Sequence, residues 1–187
     1  MIIVVSGLPR SGTAMMMKML KEGGIQILSD DVKKPDDNNP QGYFEYDLVS
    51  KLPEGKTDWL EEAEGKVVKV ISYFLHHLPP KHEYRVLFME RNFSEILKSQ
   101  KKTIIEEKQK IHKKEDKMME DYYKAHIKQT KEWLSLQPNF SVIYLSYNEL
   151  VKNPNQDLSK LSNFLEHELN LDKMSKAIDQ NLYRQRS

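Results

Sequence analysis

The stretch "IIVVSGLPRSGTAMM", residues 2–16, decides the fold. Its β-branched start predicts a short buried strand over 2–6, and a helix is predicted over 14–22. Gly7 and Gly12 stand between them with four residues separating the two glycines. A strand, a glycine-rich turn and a helix direct backbone N–H groups and the positive helix end at one point. The stretch therefore predicts an anion site.

The loop lacks two residues of a nucleotide triphosphatase. Such loops continue with a lysine, which reaches the outer phosphates, and a hydroxyl residue, which binds Mg²⁺. Here Thr13 and Ala14 occupy those positions, and the cation is Arg10, inside the loop. With hydroxyls at Ser6, Ser11 and Thr13 and no metal ligand, the loop suits a sulfuryl group carried on a phosphate.

The rest of the chain alternates between strand and helix signals. Strands are predicted at 25–28, 67–71, 85–89 and 141–146, helices at 94–137, 153–167 and 172–182, and a polar loop at 29–45. This alternation predicts an α/β fold with three layers, α/β/α, around a central, mostly parallel five-stranded sheet like that of P-loop NTPases. We expect residues 1–187 to form a single domain.

The amino-acid composition argues against several classes of protein. The 187 residues carry a net charge of +1, from 29 basic and 28 acidic residues, so a duplex-DNA binder is disfavoured. There are no cysteines, which excludes disulfides and thiolate metal sites. No apolar run approaches the roughly 20 residues of a membrane span, and the apolar start is too short for a signal peptide. We expect a cytoplasmic protein with no nucleic-acid partner and no membrane span.

Two motifs in order resemble the sulfotransferases that use 3′-phosphoadenosine 5′-phosphosulfate. The first is "PRSGT", which in that family holds the 5′-phosphosulfate. The resemblance implies that the donor is bound by Pro9, Arg10, Ser11, Gly12, Thr13 and Ala14. Many members carry a second hydroxyl where Ala14 stands, so one contact would be lost.

The second motif lies in "VLFMERNFSEILKS". It places Arg91 after a strand and Ser99 eight residues later in the following helix, the pair that grips the 3′-phosphate in the family. A guanidinium offers phosphate a forked pair of donors. The resemblance implies 3′,5′-adenosine bisphosphate as product and no metal. Arg184 and Arg186 either help to close over the nucleotide, as basic C-terminal residues do in some members, or form a charged tail.

Two further segments are similar to the family. "VVKVISYFLHHLP" resembles the strand that ends at the active site, which implies that Lys69 and Arg10 supply positive charge to the transferring group. "YLSYNELVKNPNQDLSKLSNFLEHEL" resembles a late strand and a proline-capped helix. We expect that segment to carry fold information rather than chemistry.

The general base has several candidates. Members with a histidine two residues after the strand lysine use it as the base, and here Ile71 stands there. Other branches use a glutamate after the first helix, for which Glu45 in "NPQGYFEY" is the best match. The remaining candidates are His76 and His77 in "HHLP" and, more weakly, Asp30 and Asp31.

The acceptor is not readable from the sequence. Loop 30–60 and segment 100–135 would flank it, and their aromatic residues suit a small molecule or a glycan with a hydroxyl or amine. These residues are Tyr43, Phe44, Trp59, Tyr122 and Tyr123. Two other functions remain compatible with the sequence: a P-loop kinase or nucleotide triphosphatase, and a non-catalytic nucleotide-binding protein that has lost its base.

Overall fold

The sheet of the molecule has five parallel strands. The computed structural model describes residues 1–30, 34, 36, 39, 42–106 and 113–178, without the side chains of 102–106 and 113–115. The strands are β1 (Ile2–Gly7), β2 (Ile27–Leu28), β3 (Val67–Lys69), β4 (Tyr84–Glu90) and β5 (Phe140–Ser146). Their order in the sheet is β2-β3-β1-β4-β5, and every pair is parallel. The predicted α/β class is confirmed.

Six α-helices and three 3₁₀ helices are found in the described part of the chain. The α-helices are α1 (Thr13–Glu22), α2 (Phe93–Glu106), α3 (Lys113–Ser135), α4 (Tyr147–Lys152), α5 (Pro154–Leu165) and α6 (Leu171–Lys176). The 3₁₀ helices are Asp47–Glu54, Asp58–Leu60 and Ser72–His77. The sequence did not predict the 3₁₀ helices or α4, because such short elements show too little periodicity.

Two strands are shorter than predicted. The amide of Ile25 donates to the carbonyl of Leu20 and so caps the C-terminus of α1. It is therefore not available to the sheet, and β2 begins at Ile27. β3 ends at Lys69, after which Val70 donates one more bond to Val5 before the 3₁₀ helix begins. An apolar run predicts that a strand is present more reliably than it predicts the residues at which the strand begins and ends.

The sheet is covered on both faces. In β1, Ile3 and Val5 pack in one core with α1, α4, α5 and α6, while Ile2 and Val4 pack in a second core with the 3₁₀ helices and α3. All four side chains are fully buried. The molecule therefore has three layers, and the central strand has to be apolar on both faces.

The carboxyl ends of the parallel strands meet at one edge of the sheet. β1 lies between β3 and β4, so the loop after Gly7, the end of β3 at Lys69 and the turn after Glu90 are brought side by side. Ligands of open α/β sheets bind at this edge. Within the ranges that the structure describes, no helix is long and apolar enough to cross a bilayer.

Candidate functional site

The loop between β1 and α1 is closely packed. Gly7 has a φ of 140°, and a Cβ there would lie 2.5 Å from both the Met89 carbonyl oxygen and Ser11 Oγ. Gly12 has a φ of 102°, and its Cβ would lie 2.4 Å from Cδ2 of Tyr147. Neither position has room or a suitable backbone for a side chain. The two glycines therefore hold the loop in a shape that other residues would disrupt.

Two buried hydroxyls, one at the end of β1 and one in this loop, lack a hydrogen-bond partner among the described residues. Within the described part of the chain, Ser6 Oγ and Ser11 Oγ make no hydrogen bond, although both side chains are buried. Thr13, the first residue of α1, is also buried. Buried polar atoms are normally paired, so such hydroxyls are expected where a ligand supplies the missing partner. These hydroxyls lie beside the start of α1, whose first amides have no intrahelical partner, and such a combination suits an anion.

The loop is joined to α2 by side-chain hydrogen bonds. Arg10 Nε donates to Ser99 Oγ at 2.9 Å, and Gln100 Nε2 donates to the carbonyl of Pro9 at 3.4 Å. Gln100 in turn accepts from the Tyr123 hydroxyl of α3 at 2.8 Å. The two motifs that the sequence placed almost ninety residues apart thus contact each other.

Arg91 is fixed from three sides. Its Nε donates to Glu95 Oε2 at 2.9 Å, its Nη1 donates to the carbonyl of Arg10 at 3.2 Å, and its guanidinium lies 4.3 Å from the ring centre of Tyr147. Glu95 is fully buried and also accepts from Asn148 Nδ2 at 3.1 Å. Arg91 is therefore held at the loop before any ligand binds.

The guanidiniums of Arg10 and Arg91 influence each other at the loop. Burial lowers the pKa of Arg10, and the charge of Arg91 lowers it further, against the opposing influence of Tyr43, Asp36 and Tyr147. Arg10 also has a left-handed backbone, with a φ of 74°. Arg91 is paired with the buried carboxylate of Glu95, so the features of this loop that suggest a functional site are the strained backbone and the burial of Arg10.

Lys69 and Glu45 lie together at the end of β3. Lys69 is 8% exposed, and its Nζ contacts Glu45 Oε1 at 3.3 Å and donates to the carbonyl of Tyr43. The amide of Asp30 donates to the carbonyl of Glu45 at 3.1 Å, which ties the end of β2 to the same loop. The structure thus pairs the predicted cation with the predicted base.

The sequence matches the sulfotransferase domain family over residues 2–186, nearly its whole length. The chain belongs to this family. Among curated proteins, none matches it. The unliganded crystal structure of a sugar kinase from Janibacter sp. HTCC2649 is similar at 15% identity and a TM-score of 0.40, over 96% of each chain. That similarity is too slight to carry an argument about fold or function.

Among the other base candidates of this sulfotransferase domain, Asp30 contacts the same loop, since its amide donates to the Glu45 carbonyl. His76 and His77 end the 3₁₀ helix Ser72–His77, with ring centres 4.0 Å apart. Burial and the charge of His77 lower the pKa of His76. Asp31, Arg184 and Arg186 lie outside the described residues.

Several residues of the site escaped the sequence analysis. Tyr147 belongs to the segment that was expected to carry only fold information, yet it packs against Gly12 and faces Arg91. Glu95 has a signal in the sequence, since it stands four residues after Arg91 at the start of a helix. No pattern in the sequence points to Gln100, because its contact with the loop depends on how α2 packs in the folded protein.

Proposed function

We propose that this sulfotransferase domain transfers a sulfuryl group from 3′-phosphoadenosine 5′-phosphosulfate to a hydroxyl or amine of a small molecule or glycan, without a metal. The observation that carries the proposal is the hydrogen bond from Arg10 to Ser99. It joins the loop suited to the 5′-phosphosulfate with the arginine–serine pair suited to the 3′-phosphate. A ligand with two anionic groups on one nucleoside matches such a double site.

The residues present fit the donor. The unpartnered hydroxyls of Ser6 and Ser11 and the amides at the start of α1 offer hydrogen bonds to the phosphosulfate oxygens. We assign that end of the donor to the loop 9–14. Arg91 and Ser99 would hold the 3′-phosphate, with Arg184 as a further contact, because a guanidinium binds phosphate through a forked pair of donors.

The chemistry follows from the Lys69–Glu45 pair. The donor supplies a sulfuryl group whose bond to the phosphate oxygen breaks as the acceptor atom bonds to sulfur. Lys69 and Arg10 stabilise the negative charge on the transferring oxygens and the departing phosphate. Glu45 takes the proton of the acceptor, and 3′,5′-adenosine bisphosphate is released. The 3.3 Å contact between Lys69 Nζ and Glu45 Oε1 supports these roles, because it brings the carboxylate next to the cation.

Ligand-induced stabilisation tests the proposal. The melting temperature is measured with 3′,5′-adenosine bisphosphate and, separately, with ATP and Mg²⁺, and sulfate transfer is then followed from radiolabelled donor. We expect stabilisation by the bisphosphate, because a ligand that binds only the folded state raises its stability. Stabilisation by ATP with Mg²⁺ and none by the bisphosphate would overturn the proposal in favour of a kinase.

A further inference from the structure

The backbone turns sharply between the two groups that contact Lys69. Lys69 Nζ donates to the carbonyl of Tyr43 and lies 3.3 Å from Glu45 Oε1. Phe44, the residue between them, has a left-handed backbone with a φ of 50°. Glycine adopts this conformation readily, whereas a residue with a bulky side chain does so only under strain. The strain therefore lies directly beside the proposed base.

The ring of Phe44 anchors this turn. It is partly buried against the core that the sheet forms with α1, α4, α5 and α6. On the same side, Lys21 Nζ of α1 lies 5.9 Å from the centre of the ring. Burying an aromatic ring contributes a free energy of the same order as the cost of one left-handed residue. The packing of the ring thus accounts for the strained backbone.

The two neighbours of Phe44 are held by separate contacts. The Tyr43 hydroxyl donates to Asp36 Oδ2 at 2.8 Å, and the amide of Asp30 donates to the Glu45 carbonyl at 3.1 Å. The Glu45 side chain itself is 47% exposed. An ion pair with so exposed a member is too weak to fix a flexible carboxylate by itself. Its position therefore depends on the backbone that carries it.

We propose that Phe44 is a positioning residue for the sulfuryl transfer. Its packed ring maintains the left-handed backbone, which directs the Glu45 carboxylate and the preceding carbonyl to Lys69. The inference rests on the proposed function, in which Glu45 takes the proton of the acceptor. Without the ring, the backbone relaxes towards an extended conformation and the carboxylate moves away from Lys69.

Three substitutions at position 44 separate the ring from the backbone. Phe44→Ala removes the ring but keeps the penalty for a left-handed residue, so we expect kcat for sulfate transfer to fall about 10- to 100-fold. Phe44→Gly also lacks the ring but adopts this backbone without strain, and its kcat should exceed that of Phe44→Ala about fivefold. Phe44→Tyr keeps the ring and should retain most of the activity. The KM for the donor should change little in all three, because Phe44 is not assigned to the donor.

A matched control and a double variant show whether Phe44 acts through Glu45. Phe164→Ala removes another partly buried ring from the same core, and it should leave kcat unchanged. In the Glu45→Gln background the base is already lost, so adding Phe44→Ala should lower the residual kcat by less than about twofold. A merely structural change would act whether or not the base is present. Phe44→Leu, a milder loss of the same ring, serves if Phe44→Ala does not fold.

Chemical labelling of Lys69 gives a readout that does not require turnover. Its amine is covered by the contacts with Tyr43 and Glu45, and the residue is 8% exposed. The protein is treated with acetic anhydride, and acetylation of each lysine is followed by mass spectrometry. We expect Lys69 to react about fivefold faster in Phe44→Ala than in the unaltered protein, the loss of about one hydrogen bond. Lys66, before the start of β3, should react at the same rate in both.

The outcomes separate the positioning role from the proposed function. Unchanged labelling of Lys69 in Phe44→Ala, equal losses of kcat with and without the Glu45 carboxylate, or a lower kcat in Phe44→Gly than in Phe44→Ala would overturn the positioning role. Absence of both transfer and stabilisation by the bisphosphate in the unaltered protein would instead sink the proposed sulfuryl transfer. In that case the labelling still decides whether Phe44 maintains the contacts of Lys69.

Discussion

Arg10 Nε and Ser99 Oγ are 2.9 Å apart, so the loop after the first strand and the helix after the fourth share a direct hydrogen bond. Ser99 is buried, and Arg10 is one of the two guanidiniums at the site. The bond sets the position of the Arg10 side chain relative to Arg91, whose Nη1 donates to the Arg10 carbonyl. A change at Ser99 is therefore expected to affect both ends of the donor.

Ser99→Ala is the first test of that relationship. We expect the affinity for 3′,5′-adenosine bisphosphate to fall about fivefold, the loss of one hydrogen bond of about 1 kcal/mol. Lys98→Ala, which removes an exposed positive charge one residue earlier on α2, is the matched control and should have a smaller effect. Isothermal titration calorimetry gives both values. Equal losses in the two variants would contradict a specific role for the Ser99 hydroxyl.

Gly12→Ala tests the packing of the loop. Gly12 and Gly24 have nearly the same φ, 102° and 103°, but only Gly12 has an atom in the way, Cδ2 of Tyr147 at 2.4 Å. We expect Gly24→Ala to lower the free energy of unfolding by roughly 1–3 kcal/mol through backbone strain alone. Gly12→Ala should lower the free energy of unfolding by about 1–3 kcal/mol more, because the new methyl group clashes with Tyr147. Urea denaturation measures the difference, and equal losses would contradict the packing argument.

The fold was largely predictable because its signals are local. The apolar run of β1 is buried on both faces, and Gly7 and Gly12 bound the loop, so strand, turn and helix follow from fifteen consecutive residues. The α/β class then follows from the alternation of strands and helices. The 3₁₀ helices were not predicted, because so few residues show no recognisable hydrophobic periodicity.

The site was predictable only in part, because its contacts are long-range. Motif order pointed to Arg10, Arg91 and Ser99, and the structure brings these three together. It does not follow from any local pattern that Tyr147 packs against Gly12, or that Ser72 meets His126. Such contacts depend on how helices cross the sheet, and the binding role of each residue stays a prediction.

The Arg91–Glu95 pair should show strong coupling. Glu95 is fully buried and the Arg91 side chain is 8% exposed, so removing one partner leaves the other charge buried without compensation. Arg91→Ala is expected to cost about 3–5 kcal/mol of stability. The double variant Arg91→Ala/Glu95→Ala should cost less than the sum of its two single variants. Additive losses in urea denaturation would argue against a mutual stabilisation.

Arg91 should also matter for the nucleotide. Arg91→Ala is expected to weaken binding of 3′,5′-adenosine bisphosphate by about 1.5–3 kcal/mol, the contribution of a hydrogen bond to a charged group. Glu95→Gln separates this effect from folding, because it keeps Arg91 and a hydrogen-bonding side chain at position 95. Calorimetry, at a temperature where both variants are folded, measures their affinities for the bisphosphate. Unchanged affinity in Arg91→Ala would mean that the 3′-phosphate binds elsewhere.

The partly buried imidazole of His126 makes stability depend on pH. Burial, with a smaller effect of His76, lowers the pKa of His126 in the folded protein, whereas in the unfolded chain it is near 6.5. Below about pH 6.5 the unfolded chain therefore binds more protons, and stability falls until the pH passes the folded pKa. We expect the urea midpoint to decrease from about pH 7.5 to 5.5 and the decrease to be smaller in His126→Gln. An unchanged slope in His126→Gln would refute the assignment.

Glu45→Gln tests the proposed base. The carboxylate contacts Lys69 Nζ at 3.3 Å, and the amide keeps the shape of the side chain but takes up no proton at neutral pH. We expect kcat for sulfate transfer to fall about 10²- to 10⁴-fold, the usual contribution of a general base. The melting temperature with 3′,5′-adenosine bisphosphate should be unaffected, because Glu45 is not assigned to the donor.

A second lysine–glutamate pair supplies the control for this variant. Lys66 and Glu62 lie 3.5 Å apart before β3, at the opposite end of the strand from Lys69. Glu62→Gln breaks an ion pair of similar length and should leave kcat unchanged, since an exposed pair contributes about 0–1 kcal/mol. Full activity in Glu45→Gln would remove Glu45 as the base and move that role to a histidine of the 3₁₀ helix. Lys69→Met tests the other member of the proposed catalytic pair. It is expected to lower kcat as well, because the positive charge proposed to stabilise the transferring oxygens is lost while the carboxylate remains.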